Sequence, residues 1–231
     1  EGAEVLCVDR EADRAETIAT EITEQGGAAT ALALDATAPD APDALAAACR
    51  ERGGVDIFVY NAGIGGGGDG PPHKHDDRAF ERVFAVNFTA ARRLSRAVVP
   101  LMREGGEGAF VMISSLASLA GAGMLAYEVS KAALNRLTIS LARSNAKYGI
   151  RANAILPGLM DTPMAMVGTS QRDGRSIEDQ RAARSAMVPL KGGMGSGWDT
   201  ANAALFLASD EAKFITGILL PVDGGASVRL G

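Results

Sequence analysis

Two side chains that could act on the same proton, Tyr127 and Lys131, lie four positions apart in the sequence. If this segment is helical, both project from one face of the helix. A tyrosine with a pKa of about 10 can accept an alcohol proton near neutrality only if its anion is stabilised by about 4 kcal/mol. The Lys131 ammonium could supply that stabilisation. The pair alone is a weak signal, because an exposed tyrosine and a solvated lysine often share a helix by chance.

Other residues with suitable chemistry precede this pair. Ser114 and Ser115 directly follow an apolar run at 109–113, and Asn87 is the polar exception in a helical apolar stripe. The segment Asn61-Ala62-Gly63 follows another apolar run, and its small residues would let the backbone approach a ligand closely. Together these residues point to an enzyme site.

Apolar runs alternate with helical patterns along the chain. The predicted strands are 3–8, 29–34, 55–60, 109–113, 152–156 and 218–222, and the predicted helices are 12–25, 43–52, 80–101, 125–148, 178–186 and 199–208. Runs without polar alternation indicate strands buried on both faces, and therefore a parallel sheet covered by helices. We expect a single α/β domain over residues 1–231, a doubly wound parallel sheet in a three-layer α/β/α arrangement. The segment 157–191, rich in Pro, Met, Gly and Ser, is predicted to be a substrate lid within it.

The order of these residues resembles the short-chain dehydrogenase/reductase family, which has a Rossmann-like fold. The family has a Tyr-x-x-x-Lys pair, an upstream Ser, an Asn in the preceding long helix and an Asn-Ala-Gly motif. The resemblance implies NAD(P)-dependent hydride transfer between a nicotinamide cofactor and a secondary alcohol or ketone, with Tyr127 as general acid/base. It also implies that Lys131 binds the nicotinamide ribose, Ser115 holds the substrate oxygen and Asn87 connects Lys131 to solvent through water.

The identity of the catalytic serine stays open between two neighbours. Alignment on the apolar strand selects Ser115, whereas the distance to Tyr127 is one residue shorter than the family's usual spacing and would select Ser114. We favour Ser115, with a one-residue deletion in the loop between Leu116 and Met124. The catalytic set is then Asn87, Ser115, Tyr127 and Lys131.

Two acidic residues match family positions for the adenosine half of the cofactor. Asp9 closes a strand at the position where the family's acid accepts hydrogen bonds from the ribose hydroxyls and repels a 2′-phosphate. This favours NAD over NADP. The adjacent Arg10, however, could hold that phosphate. Alternatively, Asp9 simply caps the helix beginning near Ala12. Asp35 matches the acid that bonds the adenine edge, or is a turn former before Pro39.

A third segment matches the loop that fixes the nicotinamide carboxamide. It contains Pro157, Gly158 and Thr162. The full cofactor-binding set implied by the resemblance is Asp9, Asp35, Asn61, Ala62, Gly63, Tyr127, Lys131, Pro157, Gly158 and Thr162.

The family has an earlier strand and glycine-rich turn for which Asp9 leaves no room. In the family sheet that strand separates the strands corresponding to 3–8 and 55–60 by roughly 10 Å, two strand spacings. We therefore expect roughly 25 to 30 residues to precede Glu1, judging from the spacing between the glycine turn and the acid. Without them, dinucleotide affinity should collapse, because the pyrophosphate would lose its backbone donors.

Composition excludes several classes of function. The net charge of −5 provides no basic field for nucleic acid or an anionic membrane surface. No apolar run approaches the ~20 residues that span a bilayer. His73 and His75 lack companions for a metal site, and no Gly-x-Ser-x-Gly elbow indicates a hydrolase.

The expected partners and location follow from composition and resemblance. The partner is a small alcohol or ketone, and the resemblance suggests a homotetramer. Cys7 and Cys49 are predicted to be reduced, buried thiols, which favours the cytoplasm. The competing hypothesis is a non-catalytic oligomeric or ligand-binding relative of the same fold, or a cofactor-deficient form of it.

Overall fold

Strands and helices alternate in the computed structural model, which describes residues 2–65, 67–166, 174 and 176–228. The strands are β1 Glu4–Asp9, β2 Ala28–Ala33, β3 Ile57–Tyr60, β4 Gly108–Ile113, β5 Ile150–Pro157 and β6 Leu219–Val222. The helices are α1 Ala12–Glu24, α2 Ala41–Glu51, α3 Asp77–Phe84, α4 Ala91–Gly105, α5 Leu125–Asn145, α6 Ile177–Ser185 and α7 Gly197–Ala208. Part of the predicted lid, 157–191, lies outside the described residues.

All strand pairs found in the described ranges are parallel. β1 pairs with β2, and a four-stranded sheet has the order β3-β4-β5-β6. β1 and β3, which the family resemblance places on either side of another strand, are not hydrogen-bonded to each other. Parallel strands joined through helices confirm the predicted Rossmann-like α/β fold.

Helices cover both faces of the larger sheet. Phe110 and Met112 of β4 face a core shared with α2, α4 and α5. Val111, which points the other way, packs with Ile155 of β5 and Leu207 of α7. Successive residues of a strand point to opposite faces, so these two clusters form the interfaces of a three-layer structure.

The prediction that the run 55–60 is buried on both faces is wrong for half of its strand. Ile57 is 42% exposed and Val59 is 47% exposed, whereas Tyr60 is buried. α7 packs against β4, β5 and β6, and no comparable packing of α7 against β3 is found in the described residues. β3 therefore buries one face only.

The single long helix predicted over 80–101 is interrupted. Between α3 and α4, residues Ala85–Ala90 form a π-helical segment, in which Asn87 is fully buried. A π-helical turn has i→i+5 hydrogen bonds, so it contains more residues than a turn of α-helix, and it often marks a functional position. The interruption places Asn87 in the one irregular turn of an otherwise regular stretch.

Candidate active site

Tyr127 and Lys131 lie one turn apart near the start of α5. Lys131 is only 3% exposed, and its Nζ donates to the Ile113 carbonyl at the end of β4 over 2.8 Å. The same Nζ lies 5.8 Å from the centroid of the Tyr127 ring. The helix and the carboxyl end of β4 thus bring a phenol and an ammonium together.

Burial works against the charged form of both groups. It raises the pKa of the Tyr127 phenol, and a hydrogen bond with Ser115 partly offsets this rise. It lowers the pKa of Lys131 to about 8. No carboxylate in the described part of the chain forms an ion pair with Lys131, so its positive charge is available to a phenolate.

The two candidate serines have different surroundings. Ser114 is buried, and its Oγ donates to the main-chain oxygen of Lys131 over 3.1 Å. Ser115 Oγ accepts from Ala117 N–H over 3.2 Å, and its side chain lowers the pKa of the nearby Tyr127 phenol. Ser114 joins β4 to α5, whereas Ser115 lies with the candidate acid/base.

Asn87 joins the loop after β3 to α5. Its Oδ1 accepts from the N–H of Ile64 over 2.8 Å, and its Nδ2 donates to the Ile64 carbonyl and to Ser130 Oγ, each over 3.0 Å. Ser130 Oγ in turn donates to the main-chain oxygen of Tyr127 over 2.8 Å. Asn87 therefore contacts Tyr127 through Ser130.

The Asn61-Ala62-Gly63 segment passes close to the ammonium. A Cβ placed on Gly63 would lie 3.2 Å from Lys131 Nζ and 3.6 Å from Asn87 Oδ1. Asn61 and Ala62 are exposed beside it. Glycine at this position allows the backbone and the ammonium to approach each other.

Asp9 and Asp35 lie at the carboxyl ends of β1 and β2. Asp9 Oδ1 accepts from the N–H of Glu11, which precedes the first residue of α1, so Asp9 does not bond the helical N–H groups. Asp35 Oδ1 accepts from the N–H and hydroxyl of Thr37, and these bonds lower the pKa of its carboxyl. The turn-forming role considered for Asp35 is therefore present in the structure.

Pro157 ends β5 beside β6, and Gly158 directly follows it. Gly158 N–H donates to the Val222 carbonyl over 2.9 Å, and a Cβ on Gly158 would meet Asp223 at 2.6 Å. Thr162 follows in the next turn, where its hydroxyl accepts from Ala165 N–H over 3.4 Å. The third predicted cofactor segment thus lies at the carboxyl end of β5.

These residues fit a nicotinamide dinucleotide. The Ile113 carbonyl is the one acceptor that the described residues provide for the Lys131 ammonium, which leaves N–H donors for ribose hydroxyls. Asp9 likewise keeps an oxygen that accepts no bond from the described residues. Lys131 and Asp9 therefore each have the capacity to bond a ribose hydroxyl.

One residue of this region was missed by the sequence analysis. Asp69, in the glycine-rich loop after β3, accepts from main-chain N–H groups of α5. The contact spans 57 positions, and nothing in the local sequence indicates it.

Membrane-spanning and metal-binding features were also sought in the described residues. None of their helices has the length and apolarity to cross a bilayer. They contain no group of three or more His, Cys, Asp and Glu side chains placed to hold a metal ion.

Comparison with known proteins agrees with this arrangement. Residues 1–227 match the family model described as "Enoyl-(Acyl carrier protein) reductase". The chain is 35% identical, over 99% of its length and 88% of the relative's, to 2,5-dichloro-2,5-cyclohexadiene-1,4-diol dehydrogenase LinX of Sphingobium indicum.

Two solved structures are similar over nearly the whole chain. A protein from Burkholderia xenovorans, assigned as a short-chain dehydrogenase/reductase, has a TM-score of 0.93 and 35% identity over 100% of this chain and 88% of its own. A protein from Beutenbergia cavernae, assigned as an NAD(P)-dependent gluconate 5-dehydrogenase with NADP at low occupancy, has a TM-score of 0.88 and 32% identity over 99% and 88%. The chain therefore belongs to the short-chain dehydrogenase/reductase family, and it is an oxidoreductase.

Proposed function

We propose that this chain transfers hydride between NAD and a secondary alcohol or ketone, with Tyr127 as the general acid/base. The observation that carries the proposal is the buried ammonium of Lys131, which lies 5.8 Å from the centroid of the Tyr127 ring. The Sphingobium relative is named for a diol, which supports an alcohol as substrate.

Each side chain has a separate task in this proposal. Bound NAD supplies the hydride acceptor. Ser115 donates to the substrate oxygen, and Tyr127 removes the proton from that oxygen while the hydride leaves. Lys131 stabilises the phenolate, because an uncompensated positive charge in a buried place interacts strongly with a nearby anion. Asn87 holds the loop of Gly63 and, through Ser130, the main chain of Tyr127.

The preference for NAD over NADP rests on Asp9. A carboxylate at the end of β1 accepts from ribose hydroxyls and repels a 2′-phosphate. Arg10, the group that could attract such a phosphate, forms an ion pair with Glu11 at 3.4 Å. The Beutenbergia structure contains NADP, so the test of the preference is the comparison of kcat/KM with NAD and with NADP for this chain.

The segment 157–191 is proposed to cover the substrate. Its described residues include an ion pair between Asp161 and Arg181 Nε at 2.7 Å, which links the turn after β5 to α6. Met160 and Met166 are buried, whereas Met164 and Met187 are more than half exposed. Methionine is adaptable, so these residues suit an apolar substrate wall.

Assembly is proposed from the family resemblance, and location from the two cysteines. We infer a homotetramer, in which the long helices that bear Asn87 and Lys131 pack against their copies and the region of β6 forms a second contact. Cys7 and Cys49 are free and buried, which supports the cytoplasm as the location.

Tyr127→Phe tests the proposed function directly. Removal of the phenolic oxygen should lower kcat by roughly 100-fold or more while the Kd for NAD changes little. The measurement is NADH absorbance with a panel of secondary alcohols and ketones, together with NADH fluorescence for binding. Tyr148→Phe is a matched control, because that ring packs under the Arg103 guanidinium away from the site. Near-wild-type turnover in Tyr127→Phe would refute the role, and a wild type that binds no NAD would indicate the competing hypothesis, a non-catalytic relative or a cofactor-deficient form of the same fold.

A further inference from the structure

The loop that follows Asn61-Ala62-Gly63 holds the first turn of α5. Leu125 N–H donates to the Gly70 carbonyl over 3.0 Å. Ala126 N–H donates to Asp69 Oδ1 over 2.9 Å, and Tyr127 N–H donates to Asp69 Oδ2 over 3.0 Å. The first three N–H groups of the helix are therefore bonded by two consecutive residues of one loop.

This arrangement replaces an ordinary helix cap. The first N–H groups of a helix have no partner within the helix and are usually bonded by the side chain of the N-cap residue. The N-cap residue of α5 is Met124, whose side chain makes no such bond. Asp69 supplies a carboxylate instead, and negative charge is favourable at a helix N-terminus.

The same loop also reaches the main-chain oxygen of Tyr127. Asn87 bonds both the N–H and the carbonyl of Ile64 and donates to Ser130 Oγ, which donates to that oxygen. The N–H of Tyr127 is held by Asp69 directly, and its carbonyl is held through Ser130 and Asn87. Gly63, beside Lys131 Nζ, directly precedes Ile64, the first of these two attachments along the loop.

We propose that Asp69 is a positioning residue for the reaction. This inference rests on the proposed function. Asp69 fixes Tyr127 relative to the Asn61-Ala62-Gly63 segment, and so relative to the place where the nicotinamide would be held. It acts through the backbone of α5 and does not touch the reacting atoms.

Asp76 provides a matched comparison within the same region. It is the N-cap residue of α3, and its carboxylate accepts from Arg78 N–H over 3.1 Å. Asp76→Ala and Asp69→Ala each remove a capping carboxylate. Only Asp69 caps the helix that bears Tyr127 and Lys131, so stability loss alone would affect both variants in the same way.

The experiment compares Asp69→Ala, Asp69→Asn and Asp76→Ala at a temperature where all three are folded. Asp69→Ala should lower kcat by roughly 10- to 100-fold, because small errors in the placement of a reacting group are costly. Asp69→Asn should be intermediate, since its amide keeps one acceptor oxygen and turns an NH₂ toward the other N–H. Asp76→Ala should keep kcat within about twofold, and the KM for NAD should change less than kcat in the Asp69 variants.

Amide hydrogen exchange gives a readout that does not depend on turnover. Measured by nuclear magnetic resonance, the amides of Ala126 and Tyr127 should exchange faster in Asp69→Ala and stay protected in Asp76→Ala. Faster exchange together with the loss of kcat supports the positioning role. If Asp69→Ala does not fold, Asp69→Asn carries both measurements.

Different failures overturn different claims. Equal kcat in Asp69→Ala and Asp76→Ala overturns the positioning role, whether or not the two amides open. Unchanged protection of these amides in the Asp69 variants also overturns it. A folded wild type that oxidises no alcohol and reduces no ketone overturns the proposed function itself, and with it any catalytic meaning of Asp69.

Discussion

Lys131 carries an ammonium group in a buried environment that disfavours its charged form. Its side chain is 3% exposed, and burial lowers its pKa to about 8. A buried cation without a carboxylate partner destabilises the folded protein, because desolvation is not repaid by an ion pair. Because no carboxylate of the described residues neutralises it, the Lys131 charge can stabilise the anion of the Tyr127 phenol. Stability and the proposed function therefore make opposite demands on this residue.

Lys131→Met should show this conflict. Methionine keeps an unbranched side chain without the charge, so the free energy of unfolding at pH 7 should rise by roughly 2 kcal/mol while turnover is lost. In the wild type the folded pKa of about 8 lies below the ordinary 10.5, so the folded state gains stability as pH rises between these values. The difference between variant and wild type should shrink over that interval in urea unfolding curves. A variant less stable than wild type at pH 7, or a difference that does not change with pH, would contradict this account.

Among the structural elements, the loop after β3 and the helix α5 meet at Gly63. A Cβ there would lie 3.2 Å from Lys131 Nζ, a distance that requires the ammonium to shift by a few tenths of an ångström. At Gly65, two residues further on, a Cβ would meet no atom within 4 Å. The requirement for glycine at 63 thus comes from the approach of α5 and not from the turn.

Gly63→Ala should therefore lower kcat by about 10-fold, since the displaced ammonium stabilises the phenolate less well. Gly65→Ala has the same added methyl group in open space and should stay within about twofold of wild type. Steady-state kinetics at saturating NAD would compare the two, with melting temperatures as a check on folding. Equal kcat values in both variants would mean that the contact with Lys131 has no catalytic importance.

The sequence predicted the elements better than their irregularities. β4 was predicted over 109–113 and spans Gly108–Ile113, and α5 begins at Leu125 as predicted. The π-helical segment Ala85–Ala90 was missed, because apolar spacing over a single turn hardly distinguishes it from an α-helix. Asp69 was missed for another reason: its role depends on a helix 57 positions away, which only the folded chain brings near.

At the scale of the whole molecule, α7 has an apolar surface on the side away from the sheet. Leu207 is buried against Val111 and Ile155, whereas Trp198 is 77% exposed, Leu205 46% and Phe206 39%. The spacing of Trp198 and Leu205, seven positions, places them on one face of the helix. Apolar residues grouped on a surface usually mark an interface, and α7 packs against β6, where the second contact of the proposed tetramer is placed.

Leu205→Glu should then dissociate the proposed tetramer into dimers. A carboxylate in the middle of an apolar contact between copies would have to be buried without a partner, so the α7 contact should open while the one through the long helices persists. Sedimentation velocity should show a dimer for Leu205→Glu and a tetramer for wild type. Ile18→Glu on α1 is the control, because Ile18 is similarly exposed at 48% but lies on a helix without a proposed contact. If Leu205→Glu sediments like wild type, α7 is not part of the interface, and if wild type itself is monomeric, the tetramer is refuted.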